Sequence, residues 1–521
     1  MLPAAGPRPS PVSARLALGL ALILFGCYGL TASKLRFGYE GANIDQAEAL
    51  LRGDWVPRLK GGIAPYTQGG LADVAAYFPF AALKLGLDRT GLLFGLRQLI
   101  YPFVVPLYTV ALLLVLFGLG RDLYGRSAPA LALTLVAGLA TMLWPYAKFG
   151  METQQTLWTL AAVWALVRYH RVPAAGAAAA FGIALALLML TKITGPLHAA
   201  ALLLAAGWIV ARRGARPGGG AHVLLVILLT AGGAAIFLFS NRWRYGGWLW
   251  AGRYGMGFEL SRYPLWEALW AVAASPGESL LLFCPPLLIS LWFIGSFWRR
   301  FPVMRPILVL MLAVGILHLR NRPWADETWG PRRLHYLVPL LALPLGAWFE
   351  RLPDLRRPVR WLGWAVVAAG FGVQLIAVAF DYTAQAFVLG RTPLYSQENT
   401  VWDPQLSPVR FNLHLLRSAA HRAATGEAIP FVYERHYLPW TKPDNPPPPE
   451  SFSMEGYDHF DLWYFQQRAD WPDRPYWFHS PSSFVVPLLG LMIVGGILLL
   501  ATTREAKIEM RRSKYETNSS P

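Results

Sequence analysis

Apolar runs of roughly 17–25 residues recur along almost the whole chain, and each is long enough to cross about 30 Å of hydrocarbon. No soluble core needs so many. In a bilayer, backbone polar groups must be satisfied within the chain, which leaves helices or closed barrels. Barrel strands alternate apolar and polar residues and do not give continuous runs. The chain therefore reads as an all-α polytopic membrane protein. Composition agrees: 15% of its 521 residues are charged, against about 25% in soluble domains.

Net charge is +17, but the basic residues are not pooled as a nucleic-acid-binding face would pool them. They are dealt out between the apolar runs, so their order carries topology. About twelve spans are expected, near 16–32, 97–118, 128–146, 153–167, 174–190, 197–211, 222–240, 276–297, 306–319, 334–349, 360–380 and 483–502. The block 70–86 is shorter, contains Pro79 and Asp73, and reads as an interfacial or re-entrant helix. With the N-terminus inside, every second connection is cytoplasmic. Those connections carry Arg121/Arg126, Arg168/Arg171, Arg212/Arg213/Arg216, Arg299/Arg300/Arg305 and Arg351/Arg356/Arg357/Arg360, and the basic tail follows after 502. Both termini are thus expected in the cytoplasm. The first apolar run could pass for a signal peptide, but an uncleaved signal-anchor fits it better. Cys27 and Cys284 sit in or beside apolar blocks, which gives no disulfide framework.

The opposite face holds the unusual loops. The first, 33–96, opens with Glu40 between Gly38 and Gly41, then a helix-like run with Asp45 and Glu48, and closes on Gly53-Asp-Trp-Val-Pro57. A partly dehydrated carboxylate at the mouth of a helical bundle can act as a general base on a hydroxyl. The plain alternative is a solvated loop with an acid at a helix start, and it fits Glu48 and Asp54 better than Glu40. Asp45 stands between the two. Glu152 heads a span on the same side, where an acid also complements a helix N-terminus. Arginines there run against the positive-inside pattern: Arg242, Arg244, Arg253, Arg262, Arg320, Arg322, Arg332 and Arg333. Arginine forks onto phosphate, so an anionic headgroup is one ligand for them and lipid anchoring another. Arg332 and Arg333 stand out in Trp329-Gly-Pro-Arg-Arg-Leu-His-Tyr336, with His335 beside them. Lys192, in Leu190-Thr-Lys-Ile-Thr-Gly-Pro196, either snorkels to the interface or meets a ligand. No Gly-Lys-Ser/Thr phosphate loop is present, and the spans are nearly free of the ionisable relay that a coupled transporter needs.

These motifs resemble those of the C-type membrane glycosyltransferases that use polyprenyl-phosphate sugars. The nearest pattern is that of the bacterial protein O-mannosyltransferase and aminoarabinose-transferase group, glycosyltransferase family 39-like. In that family the first outer loop begins with an Asp-Glu pair and closes on a Gly-Asp-Trp-like segment. Here Glu40 matches the second acid and Tyr39 stands at the first, so the base role falls to Glu40 or Asp45. Glu152 matches an acid at the head of a span, Thr191-Lys-Ile-Thr-Gly-Pro196 resembles a Thr-Lys-Gly-Pro segment, and Trp329-Gly-Pro-Arg-Arg resembles a Trp-Gly-Pro-Arg-Tyr stretch.

The resemblance covers about the first 380 residues and implies a division of the chain. Residues 1–380 form the membrane glycosyltransferase core, with spans one to eleven and the catalytic loop 33–96. Residues 381–482 are an extracytoplasmic domain or long loop, and 483–521 are the last span and basic tail. The implied activity is transfer of a sugar from a polyprenyl-phosphate donor to an acceptor hydroxyl on the extracytoplasmic face of a bacterial inner membrane. Catalytic residues would be Glu40, Asp45 and Glu152. Arg332, Arg333, Lys192 and His335 would bind the donor phosphate. Neither cofactor nor metal is expected; the partners would be the donor, a hydroxyl acceptor and the bilayer, with no nucleic acid. Two rival readings are a transporter or flippase of a lipid-linked or anionic substrate, and an inactive scaffold that keeps the fold.

Overall fold

The computed structural model describes residues 11–33, 38–54, 70–90, 100–150, 152–212, 219–251, 254–255, 264–320, 329–380, 401–426, 460–462 and 482–518. Its helices are α1 (Pro11–Thr31), α2 (Gly38–Leu51), α3 (Leu71–Thr90), α4 (Val104–Tyr124), α5 (Ser127–Ala140), α6 (Leu143–Phe149), α7 (Thr153–Arg171), α8 (Ala175–Thr191), α9 (Gly195–Ala211) and α10 (Gly219–Tyr245). They continue as α11 (Leu265–Ala274), α12 (Leu280–Phe283), α13 (Leu287–Arg300), α14 (Met304–Arg320), α15 (Leu337–Ala342), α16 (Leu345–Arg351), α17 (Arg357–Ala379), α18 (Pro408–Thr425) and α19 (Ser482–Asn518). The one β element among the described residues is a minimal antiparallel pair, Trp250–Ala251 with Tyr254–Gly255. The protein is an all-α polytopic membrane protein, and among the described residues five helical stretches are long and apolar enough to cross a bilayer unaided.

Among the described residues each of the twelve expected ranges contains helix, and three of them divide into two α-helices. The range 128–146 breaks between α5 and α6, 276–297 between α12 and α13, and 334–349 between α15 and α16. A proline stands at each break, where its missing N–H suits the start of the next helix better than the interior of one. Pro145 sits in the first turn of α6, Pro286 is the N-cap of α13, and Pro344 that of α16. Each break frees backbone groups that lipid cannot satisfy, and a distant side chain takes one of them. Met142 N–H reaches Cys284 Sγ at 3.4 Å, Gln374 Nε2 donates to Phe283 O at 2.6 Å, and Tyr124 Oη donates to Leu343 O at 2.7 Å. The breaks are thereby cross-braced into one buried core running from Leu16 to Leu499.

The last helix closes the bundle by lying along the first. Gly19 and Gly495 face each other there: a Cβ on Gly495 would meet the Gly19 carbonyl oxygen at 2.6 Å. Small residues let membrane helices approach backbone to backbone.

Charged side chains separate by end. At one end Asp122 pairs with Arg168 and Arg171, and Arg300 pairs with Glu350. These residues belong to the connections expected in the cytoplasm. At the other end lie Glu152, Lys192 and Arg332, already in contact. The short block containing Pro79 is a continuous helix, α3, packed on α2 around Ile44, Ala47, Val74, Tyr77 and Ala81.

Candidate functional site

Glu152 is placed by a turn. Helix α6 ends at Gly150, whose φ of 77° is the left-handed conformation that favours glycine, and Glu152 then becomes the N-cap of α7. Its carboxylate is buried, 5% exposed. Lys192 Nζ lies 2.5 Å from Glu152 Oε1, and Arg332 Nε lies 3.7 Å from the same oxygen. Lys192 is the extended residue that ends α8. Arg332 opens the 3-10 turn Arg332–Leu334, just after Gly330 reverses the chain at φ 70°. Three loops far apart in sequence thus meet at one carboxylate.

His335 is fully buried one layer below. Its Nδ1 is 2.7 Å from Thr156 Oγ1, while that hydroxyl donates to the Glu152 carbonyl oxygen at 2.9 Å. The hydroxyl has one hydrogen, so the His335 Nδ1 must be the protonated nitrogen that donates to it. His335 therefore braces the backbone of Glu152. A phosphate-binding role was expected for it; at 1% exposure it is buried beside Thr156. Arg333 is partly buried and within electrostatic reach of His318.

A second carboxylate joins from α3. Gly70 N–H donates to Thr191 O at 2.8 Å, and a Cβ on Gly70 would lie 1.9 Å from the Leu190 carbonyl oxygen. Only glycine allows that approach. It sets Asp73, in the first turn of α3, within electrostatic reach of Lys192, Glu152 and Arg244. The Asp73 carboxyl is pushed up to about 8. Burial is the main cause; Lys192 opposes it, Glu152 adds to it, and the Gly70 N–H and Arg244 oppose it. Arg244, buried at the end of α10, hydrogen-bonds Gln46 Oε1 of α2 at 3.3 Å.

The other expected residues fall differently. Glu40 lies in the first turn of α2, and its side chain is outside the described residues, as is Trp55–Pro57. Asp45 is exposed on α2, while its neighbours Ile44, Gln46 and Ala47 are buried. Glu48 braces the first loop: it accepts from Lys84 at 2.6 Å, Tyr101 at 2.5 Å and Arg52 at 2.9 Å. Arg253, Arg262 and Arg322 are outside the described residues. Among the described residues, no cluster of three or more His, Cys, Asp or Glu side chains could hold a metal.

Sequence reasoning gave Asp73 no role. Its signal was the Gly69-Gly70 pair just before an acid at a helix start. Lys148, discussed below, also passed unremarked.

No protein-family model matches the chain, and no curated protein matches it. Among solved structures it is similar to ArnT from Cupriavidus metallidurans, crystallised with undecaprenyl phosphate. The identity is 13% and the TM-score 0.46, over 81% of this chain and 82% of that one. A likeness that distant carries no argument about this chain.

Proposed function

We propose that this protein transfers a sugar from a polyprenyl-phosphate donor to an acceptor hydroxyl, on the extracytoplasmic side of a bacterial inner membrane. The observation that carries this reading is the convergence of Glu152, Lys192 and Arg332 with Asp73 beside them. Lys192 and Arg332, with Arg333 adjacent, hold the donor phosphate and stabilise the charge it gains as it leaves. Glu152 keeps the two cations aligned. The acceptor oxygen attacks the anomeric carbon as the bond from that carbon to the phosphate oxygen breaks. The leaving polyprenyl phosphate takes the electron pair, and the acceptor proton passes to a carboxylate.

Asp73 suits that last role. A base is most effective when its pKa lies near the working pH, and Asp73 is held near 8. The raised pKa of Asp73 and its place within reach of Lys192 support it in that role, where the family pattern points to Glu40. The fold is read as the C-type glycosyltransferase architecture, with both termini cytoplasmic and 381–482 outside.

Purified protein in lipid nanodiscs, given polyprenyl-phosphate donors with radiolabelled sugars, tests the reading. Transfer by the wild type, its loss in Asp73→Asn and its retention in Glu40→Gln are the expected results. Loss in Glu40→Gln with full activity in Asp73→Asn would return the base role to Glu40. No transfer from any donor would refute the function.

A further inference from the structure

Lys148 and Asp461 form a buried ion pair outside the site, with Nζ and Oδ2 2.8 Å apart and side chains 1% and 2% exposed. The lysine also donates to the backbone oxygens of Val378, at 3.0 Å, and of Asp461 itself, at 2.6 Å. Ser33 Oγ donates to Asp461 Oδ1 at 2.7 Å, and Asp461 N–H donates to Ala379 O at 3.0 Å. One residue of the long segment before the last span therefore joins three pieces of chain. These are the exit of α1 into the first outer loop, the end of α6, and the end of α17. Close by, Trp144 Nε1 donates to Thr31 Oγ1 at 3.0 Å, a second tie between α6 and α1. Phe460 stacks on Phe380 at 5.3 Å, seating Asp461 on the core.

Both loops so joined lead into the candidate site. Lys148 is one turn of chain before Glu152, with only Gly150 reversing direction between them. Ser33 is where the chain leaves α1 toward α2. A buried ion pair contributes little net stability, because desolvation offsets the attraction, but removing one partner is strongly destabilising because it leaves a buried charge uncompensated.

We propose that Asp461 and Lys148 are a positioning pair: through them the segment between the last two spans sets the two outer loops, and with them Glu152 and its cations. The consequence for ligand binding rests on the function proposed above; the consequence for loop order does not. Neither residue touches substrate.

The test uses full-length protein in nanodiscs, with Asp461→Asn, Lys148→Met and the double variant Lys148→Met/Asp461→Leu. Hydrogen exchange is followed in peptides covering Thr31–Ser33 and Lys148–Glu152, and binding is measured with undecaprenyl phosphate as probe. In both single variants, exchange is expected to quicken in both peptides and the Kd for the probe to rise about tenfold or more. The double variant fills the space with apolar groups and is expected to regain the wild-type melting temperature but not the affinity. Unchanged exchange in the single variants overturns the proposal. So does faster exchange with unchanged affinity, and so does a double variant that recovers both properties, which would make the pair merely structural. A wild type that binds no undecaprenyl phosphate refutes the proposed function instead, and the exchange data still decide whether the pair orders the loops.

Discussion

Lys192→Met and Glu152→Gln are expected to move the pH dependence of transfer in opposite directions, through Asp73. If Asp73 accepts the acceptor proton, kcat rises with pH as its carboxyl ionises and levels above about 8. Lys192 lowers the Asp73 pKa and Glu152 raises it. Removing the lysine charge therefore moves the rising limb up, and removing the glutamate charge moves it down. An opposite charge within contact range moves a carboxyl by about 1–3 pH units. Lys192 is committed to Glu152 at 2.5 Å and is 30% exposed, so the lower end applies, about one pH unit. One pH unit is about 1.4 kcal/mol. At pH 7 the ionised fraction of Asp73 would fall from about one-tenth to about one-hundredth, and kcat about tenfold with it.

The assay is kcat at saturating donor, from about pH 5.5 to about pH 9.5, since the limb must be seen on both sides of its midpoint. Saturation matters because Lys192→Met also weakens the hold on phosphate, by about 1.5–3 kcal/mol for a charged hydrogen bond. That loss appears in the donor KM, the weaker stabilisation of the leaving phosphate lowers kcat at every pH, and neither moves the limb. Two variants whose limbs coincide with the wild type, or shift the same way, would refute the electrostatic coupling and the role given to Asp73.

Gly70→Ala is expected to abolish transfer without unfolding the bundle, because its Cβ would lie 1.9 Å from Leu190 O and 2.3 Å from Thr191 C, both rigid backbone. Faster hydrogen exchange confined to the start of α3 would report that detachment. Glu48→Gln is expected to loosen the first loop by about 1 kcal/mol, a charged hydrogen bond discounted for partial exposure. Burial raises the Glu48 pKa, but the Lys84 and Tyr101 hydrogen bonds outweigh it and hold the carboxyl below its ordinary value. Its contribution is therefore present above about pH 4.3, the unfolded value, and is lost as pH falls through the lower folded value. Limited proteolysis of α2 across that acidic range should show the wild type loosening with acid and the variant far less so. Gly495→Val places a Cβ against the Gly19 carbonyl oxygen and should lower the melting temperature by prising the last helix from the first.

The spanning helices were legible because each follows from an apolar run bounded by charge, a pattern that needs no neighbour to read; α18, amphipathic and inside the expected outer segment, was not. The breaks were less so. Pro145, Pro286 and Pro344 were visible in the sequence, but an apolar run continues across each, and composition cannot say whether a proline bends a span or divides it. Glu152, Lys192 and Arg332 could be found as charges at the ends of spans on one face. Asp73 could not be placed beside them, because its position depends on Gly70 meeting Thr191, a backbone contact between distant segments that no local pattern encodes. Lys148 gave no signal at all, since nothing near it in sequence announces Asp461.

The two acids of the site have the same chemistry and opposite surroundings, and that difference assigns them work. Glu152 is held from two sides, by an ammonium at 2.5 Å and a guanidinium at 3.7 Å. Its backbone oxygen is braced by Thr156, which His335 braces in turn. Both cations meet the same oxygen, Oε1, and under the proposed function Glu152 serves as the fixed negative end that aims them. Asp73 has a single backbone N–H and burial, with charges of both signs at a distance. Its proton is therefore the one that can move near neutral pH. The absence of an aspartate before Glu40 then loses its force. Under the proposed function, a base carried on α3 and set by Gly70 stands within electrostatic reach of Lys192 from the other end of the loop.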